Sequence, residues 1–288
     1  MYLMTMLSES STQAQPSLDA LLDLLDLEQV EVDLFRSRDL GEPGYRLFGG
    51  QVAAQAMVAA ERTIAVADAD ARTRPHSLHA YFLRPGDTGK RVVYRVDRLH
   101  DGRTFQRRRV TAIQDGAVIL ALESSFTTDV SLADRQPPMP AVPDPEACPE
   151  LDESAIGARL RLVDAFEFRT VPGAPDEPTP LVRDLWFRAR GTRTDERASG
   201  SAVLTYISDL TLVLALLRES GPLDSYRLTS MDHALWFHHE IALDDWLLYA
   251  KETVAAGPLR GLVQGSIFRR DGTLVATVMQ EGLIHAHG

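Results

Sequence analysis

Cysteine is nearly absent from this chain: its 288 residues contain one, Cys148. No intramolecular disulfide and no cysteine metal cluster can form, which fits a reducing compartment. Cys148 lies in a proline-rich stretch, without the basic, structured surroundings that a nucleophilic thiol needs, and reads as incidental. Basic charge is also scarce. Lys and Arg number 30 against 41 Asp and Glu, a formal net charge of -11. Nucleic acid and anionic membrane both demand a basic footprint, so neither is the expected partner, although a local basic patch stays open. No apolar run is expected to approach a membrane span, and the start, MYLMTMLSES, lacks the charged and apolar regions of a signal peptide. The expected location is the cytoplasm. What is present, 44% hydrophobic and 25% charged residues, is the composition of a globular protein with a core of one large domain or two ordinary ones.

The stretch that organises the chain is 199–221, SGSAVLTYISDLTLVLALLRESG. Val203, Ile207, Leu210, Leu214 and Leu217 recur at the spacing of one helix face, and Leu212 and Leu216 make the opposite side apolar too. The spacing predicts one helix, buried almost all round. Ser199 or Ser201 can cap its start and Gly221 can end it. Asp209 is the one charge in its middle. An ionised carboxylate there needs hydrogen-bond partners or a wet cleft, so it is either satisfied structurally or does chemistry.

Residues 1–16 are small and polar and read as a loose terminus. SLDALLDLLDL (17–27) has leucines at helical spacing after a capping serine, and 30–35 alternates as a strand. YRLFGGQVAAQAMVAAE (45–61) predicts a second helix, alanine-rich enough to let a sheet approach closely. Four strand-like runs follow (77–83, 91–99, 104–113, 117–126), and the Asp-Gly turns between them are hairpin signals. Six prolines crowd 137–149, which predicts a linker over 130–160 that is no part of a core. Then the order repeats: strands at 166–170 and 183–190, the long helix, and strands at 230–238, 245–255, 259–269 and 273–284. An offset of 154 residues carries His79 onto His233 and Gln55 onto Asp209; 155 carries Tyr94 onto Tyr249; 156 carries Asp115-Gly116 onto Asp271-Gly272. So constant an offset is an internal repeat. The predicted class is α+β: two tandem units, 17–129 and 161–288, each a long central helix wrapped by an antiparallel sheet.

That arrangement is a double hotdog, and particular motifs carry a resemblance. LFGGQVAAQAMVAA (47–60), SLHAYFLRPGD (77–87), YISDLTLV (206–213), MDHALWFHH (231–239) and the long run 244–284 resemble the acyl-CoA thioesterase II, or TesB-type, family. The resemblance runs from Leu21 nearly to the end. It implies hydrolysis of acyl-CoA to free fatty acid and coenzyme A without metal or bound cofactor, a place in fatty acid metabolism, and a homo-oligomer. It also implies three catalytic residues: the aspartate of YxSD, a hydroxyl residue just before the DH of DHxxWFH, and the glutamine of VxQEG. Here these are Asp209, Ser230 and Gln280. Ser230 replaces the threonine of many relatives, and His239-Glu240 stands where they carry Arg-Pro, which puts a phosphate contact there in doubt.

The chemistry suits those residue types. Thioester hydrolysis needs a water aimed at the carbonyl carbon, a base for its proton, and donors for the oxyanion. An aspartate can be the base, and neutral Ser and Gln can hold the water without competing for its proton. The amino-terminal copy has Gln55 for Asp209, and Glu123-Ser124 for Gln280-Glu281, so one active site per chain is expected. An enoyl-CoA hydratase, using an Asp and His pair such as Asp232-His233, and a non-catalytic acyl-CoA sensor are the competing readings. Weaker signals have plainer ones. His79 matches His233 in the other copy, which favours a structural hydrogen bond; Arg103, Arg107 and Arg109 are either phosphate ligands or a solvated face; His285 and His287 share a strand face and read as solvated at a tail, with metal binding the lesser alternative; Trp186, Trp236 and Trp246 line core or groove.

Overall fold

The computed structural model describes residues 18–38, 41, 44–64, 73–128, 135–151, 165–173, 180–191, 198–218 and 225–286. The expected cap Ser17, the stop Gly221 and His287 lie outside them. In chain order the elements are α1 (Leu18–Leu25), β1 (Leu27–Glu31), β2 (Leu34–Ser37), α2 (Gly49–Glu61), β3 (Arg74–Phe82), β4 (Val93–Asp101), β5 (Phe105–Gln114) and β6 (Ala117–Thr127). The second half supplies β7 (Phe166–Thr170), β8 (Leu185–Ala189), α3 (Gly200–Ser208), β9 (Tyr226–Ser230), β10 (Asp232–Phe237), β11 (Leu247–Ala256), β12 (Arg260–Arg269) and β13 (Leu274–Ala286). The strands join one 13-stranded sheet in the order β1-β2-β4-β5-β6-β3-β10-β13-β12-β11-β8-β7, with β9 also on β13.

Antiparallel pairing of β3 with β10 welds the halves together. Alternation along these strands turns Leu78, Ala80, His233, Leu235 and Phe237 inward, onto a common core that contains both α2 and α3. Each half is thus a helix wrapped by sheet, a tandem double hotdog. The expected turn chemistry is present where it is needed: Asp115 and Gly116 both sit at positive φ, 49° and 76°, between β5 and β6.

Several local expectations change. The run 30–35 is a hairpin, not one strand, because Asp33 turns the chain at φ 58° between β1 and β2. Residues 45–48 are not helical: Leu47 N–H donates to Gly86 O (2.9 Å), and Phe48 is extended just before α2. The proline-rich stretch packs as a strap. Cys148 is buried with Trp186, Trp246, Leu248, Phe268 and Leu274, Met139 and Val142 pack on them, and Trp186 Nε1 donates to Pro143 O (3.0 Å). Prolines bar regular hydrogen bonding, but their apolar rings and neighbours still cover an outer sheet face.

The long helix is the largest change. It stops after Ser208, and the chain continues as a 3₁₀ run over Leu212–Leu217, with Leu210 N–H donating to Ile207 O (3.1 Å). The buried Tyr249 hydroxyl donates to Ser208 O (2.9 Å), taking the last carbonyl of α3. Gly200–Leu217 is 18 residues long and apolar enough to cross a membrane by length and composition, against the expectation that no run was; 72% of it is buried inside the fold.

Candidate active site

Asp209 sits at the C-terminal cap of α3, 5% exposed. Its position follows from how the two helices meet. Ser199 caps α3, accepting from Ala202 N–H (3.0 Å), and its hydroxyl donates to Glu61 Oε1 at the end of α2 (2.6 Å). The last turn of α3 then lies on the first turn of α2. A Cβ on Gly50 would stand 2.5 Å from Tyr206 O, so only glycine permits this approach. A Cβ on Gly49 would stand 2.9 Å from Asp209 Oδ2.

The carboxylate has two donors. Gln280 Nε2 donates to Asp209 Oδ1 at 2.5 Å, and the Gly50 amide donates to the same carboxylate. Burial is the larger influence: it pushes the Asp209 pKa up to about 7, against the two hydrogen bonds that lower it. The positive end of the α2 dipole faces the anion. The carboxyl is therefore half-ionised near neutral pH, where a general base works best.

Gln280 is fully buried on β13, and its Oε1 has no hydrogen-bond partner among the described residues. Ser230, at the end of β9, pairs with Gly282, two residues past Gln280 on β13. Paired residues and residues two apart share a sheet face, so Ser230 lies on Gln280's face, the one covered by Val213. The structure brings Asp209 and Gln280 into contact and sets Ser230 on Gln280's sheet face, with no side-chain hydrogen bond of its own among the described residues. The expected strand 230–238 is broken at Met231, whose N–H donates to Glu281 O (2.8 Å), and this offsets Ser230 from β10.

His233 forms no dyad with Asp232, because adjacent strand residues face opposite sides. Its Nε2 meets Ser208 Oγ at 2.9 Å, while Asp232 accepts from Glu281 N–H (2.7 Å). Burial pushes the His233 pKa down to about 3, so the ring is neutral. His79 is not its counterpart. It is exposed against Trp236, whereas inward-facing Leu78 matches His233 at an offset of 155, the offset that also relates the two tyrosines. Gln55 is indeed spoken for structurally: it donates to Leu24 O (2.7 Å) and accepts from the Tyr94 hydroxyl (2.6 Å). Ser124 occupies the place of Gln280.

Other candidates lie elsewhere. Arg109 is on the exposed face of β5, paired with Glu123 at 2.6 Å, and Arg107 shares that face. His239 meets Leu274 O at 2.9 Å, and His285 is exposed on β13. Gly49, Gly50 and Tyr249 were missed as site residues. The sequence offered the alanines of α2 for close approach to a sheet, whereas at the site it is the glycine pair that lets the other helix come close.

The family model for the acyl-CoA thioesterase C-terminal domain matches residues 140–284, and that for the acyl-CoA thioesterase N-terminal domain matches 37–128. The chain belongs to the TesB-type acyl-CoA thioesterase family. As a family member it is an acyl-CoA thioesterase, and full-length relatives agree. Acyl-coenzyme A thioesterase 8 of Homo sapiens is 36% identical over 284 residues, spanning 91% of this chain and 87% of the relative. Acyl-CoA thioesterase 2 of Haemophilus influenzae is 37% identical, spanning 93% and 97%. The crystal structure of the acyl-CoA thioesterase II TesB2 from Mycobacterium marinum superposes with a TM-score of 0.77 at 36% identity, covering 93% of this chain and 99% of that one. The thioesterase thus has the double hotdog frame of its family, with the contact between Asp209 and Gln280 where the two helices meet.

Proposed function

We propose that Asp209 activates the water that hydrolyses the acyl-CoA thioester, while Gln280 and Ser230 hold that water in line. The observation that carries this reading is the buried contact between Asp209 and Gln280 at the first turn of α2, with a carboxyl pKa of about 7. Gln280 Oε1 and the Ser230 hydroxyl supply uncommitted polar atoms on one face. Ionised Asp209 takes a proton as the water oxygen bonds to the carbonyl carbon. The carbonyl oxygen becomes an oxyanion, for which the amides at the start of α2, the positive end of that helix, are the donors of this reading. Collapse breaks the carbon–sulfur bond, and the proton on Asp209 passes to the departing thiolate. The products are the free acid and coenzyme A.

The test is thiol release from acyl-CoAs of short, long and branched chain across pH. A base must be ionised to act, so kcat/KM is expected to rise about tenfold per unit below pH 7 and to level off above it. No release from any member would overturn the reading, and a flat profile would remove Asp209 as the base.

Gln280→Ala removes a donor that lowers the Asp209 pKa. Thiol release at pH 7.5 is expected to fall by about 10²-fold, and the rising limb to move to higher pH. An unmoved limb would leave Gln280 without its role at the carboxylate.

A further inference from the structure

We propose that the open cavity at the entry to α2 binds the phosphate-bearing nucleotide end of coenzyme A, a placement that rests on the acyl-CoA reading above. The cavity, about 450 Å³, lies between the 44–47 segment and the turn 84–90. Arg46, Arg84 and Lys90 all line it, a gathering of cations on a chain whose net charge is -11. The two acids that also line it are committed. Asp87 Oδ1 accepts from Gly44 N–H (3.2 Å) and Gly89 N–H (2.8 Å), and Asp115 pairs with Lys90 at 2.5 Å. Arg46 has no side-chain partner among the described residues, and Arg84 commits Nη1 to Val118 O (2.7 Å). Guanidinium groups left with free N–H donors match phosphate oxygens. Tyr45, 65% exposed at the rim, offers a flat face on which an aromatic base can stack.

The cavity is held in shape. Gln114 donates to Asp87 O (2.8 Å) and Lys90 O (2.9 Å) and accepts from Asp87 N–H (2.8 Å), so one side chain clamps the turn. Thr88 N–H donates to Tyr45 O (3.0 Å), which fixes the opposite wall. Gly86 lets the walls close, since a Cβ there would stand 2.7 Å from Leu47 Cδ1. It is also aimed at the chemistry. Three residues carry the chain from Arg46 to Gly49, at most about 10 Å, and Gly49 lies against Asp209. The pantetheine arm bridges such a span, leaving the thioester at Asp209 and the phosphates at the arginines. Arg107 and Arg109, the pair that the sequence offered for this role, face outward from β5.

The test compares a medium-chain acyl-CoA with the same acyl thioester of pantetheine, which lacks the nucleotide. The quantity read is the ratio of their kcat/KM values. Arg46→Ala and Arg84→Ala are each expected to lower that ratio about tenfold or more, because each removes a charge-assisted hydrogen bond to phosphate. Inhibition by 3′,5′-ADP is expected to weaken in parallel. A ratio unchanged in both variants, or an equal loss on both substrates, overturns the placement. If the unaltered enzyme hydrolyses neither thioester, calorimetry separates the two ideas: 3′,5′-ADP bound by the wild type and lost in the variants keeps the site while the catalytic reading fails, and no binding rejects the site as well.

Discussion

Asp209→Asn is expected to lower the rate of acyl-CoA hydrolysis by about 10³-fold or more, because general-base catalysis contributes about 10²–10⁴-fold and the amide cannot take a proton from water. The variant should nevertheless fold, and at alkaline pH it should fold better. Asp209 has a folded pKa of about 7 against an ordinary aspartate value of 3.8. The folded state therefore holds the proton more tightly than the unfolded chain. Below about pH 4 both states are protonated and nothing is lost. As pH rises from there towards 7 the unfolded chain ionises first and stability falls. Above 7 the cost reaches about 4 kcal/mol, at about 1.4 kcal/mol per unit. Asparagine escapes that cost: its Oδ1 can accept from the Gly50 amide, and a turned Gln280 amide can present Oε1, which lacks a partner, to its NH₂. Thermal melts should show the variant above wild type at pH 8 and near it at pH 4. Undiminished thiol release would sink the assignment; lost activity with a lower melting temperature at both pH values would mark Asp209 as structural.

The carboxylate at the centre of this argument was legible because it breaks a local rule, one charge in a run of apolar helix-formers. The tandem repeat was legible as well, because Asp-Gly turns and tyrosines recur at a near-fixed spacing. What stayed hidden depends on contacts between distant residues. Nothing in 199–221 announces a break after Ser208, since the group that takes its carbonyl, the Tyr249 hydroxyl, is 41 residues further on. The contact between Asp209 and the start of α2 spans the two halves, and the sequence of either half alone does not contain it. Register was the other blind spot. Matching His79 to His233 is wrong by one residue, and one residue in a strand exchanges inside for outside. The proline strap shows the limit of composition: its missing ladder donors were read as exclusion from any core, yet its apolar atoms cover Trp186 and Phe268.

Gly50→Ala should be nearly as damaging to turnover as loss of the carboxylate, although it adds a single methyl group. The new Cβ would stand 2.5 Å from Tyr206 O and 2.6 Å from the Phe48 ring. A ring can rotate, but a helix carbonyl cannot, so α2 and α3 must separate at the point where Asp209 meets the Gly50 amide. Three effects then coincide. The overpacked contact costs about 1–3 kcal/mol of stability. Loss of the amide donor removes one of the two hydrogen bonds that lower the Asp209 pKa, so the activity limb moves above pH 7. The α2 amides also shift away from the developing oxyanion, and loss of one such donor typically costs about 10²–10³ in kcat. Gly257→Ala is the control, since its Cβ meets only Arg260 O at an ordinary 3.7 Å. Thiol release, its pH profile and melting temperature on both variants decide the matter. A drop in kcat with a displaced limb in Gly50→Ala alone would establish that the amino-terminal half, which lacks its own Asp209 and Gln280, completes the active site of the other. Loss of stability with kcat and the limb intact would reduce the glycine to a packing residue and leave the oxyanion donors to be sought among Gln280 and Ser230.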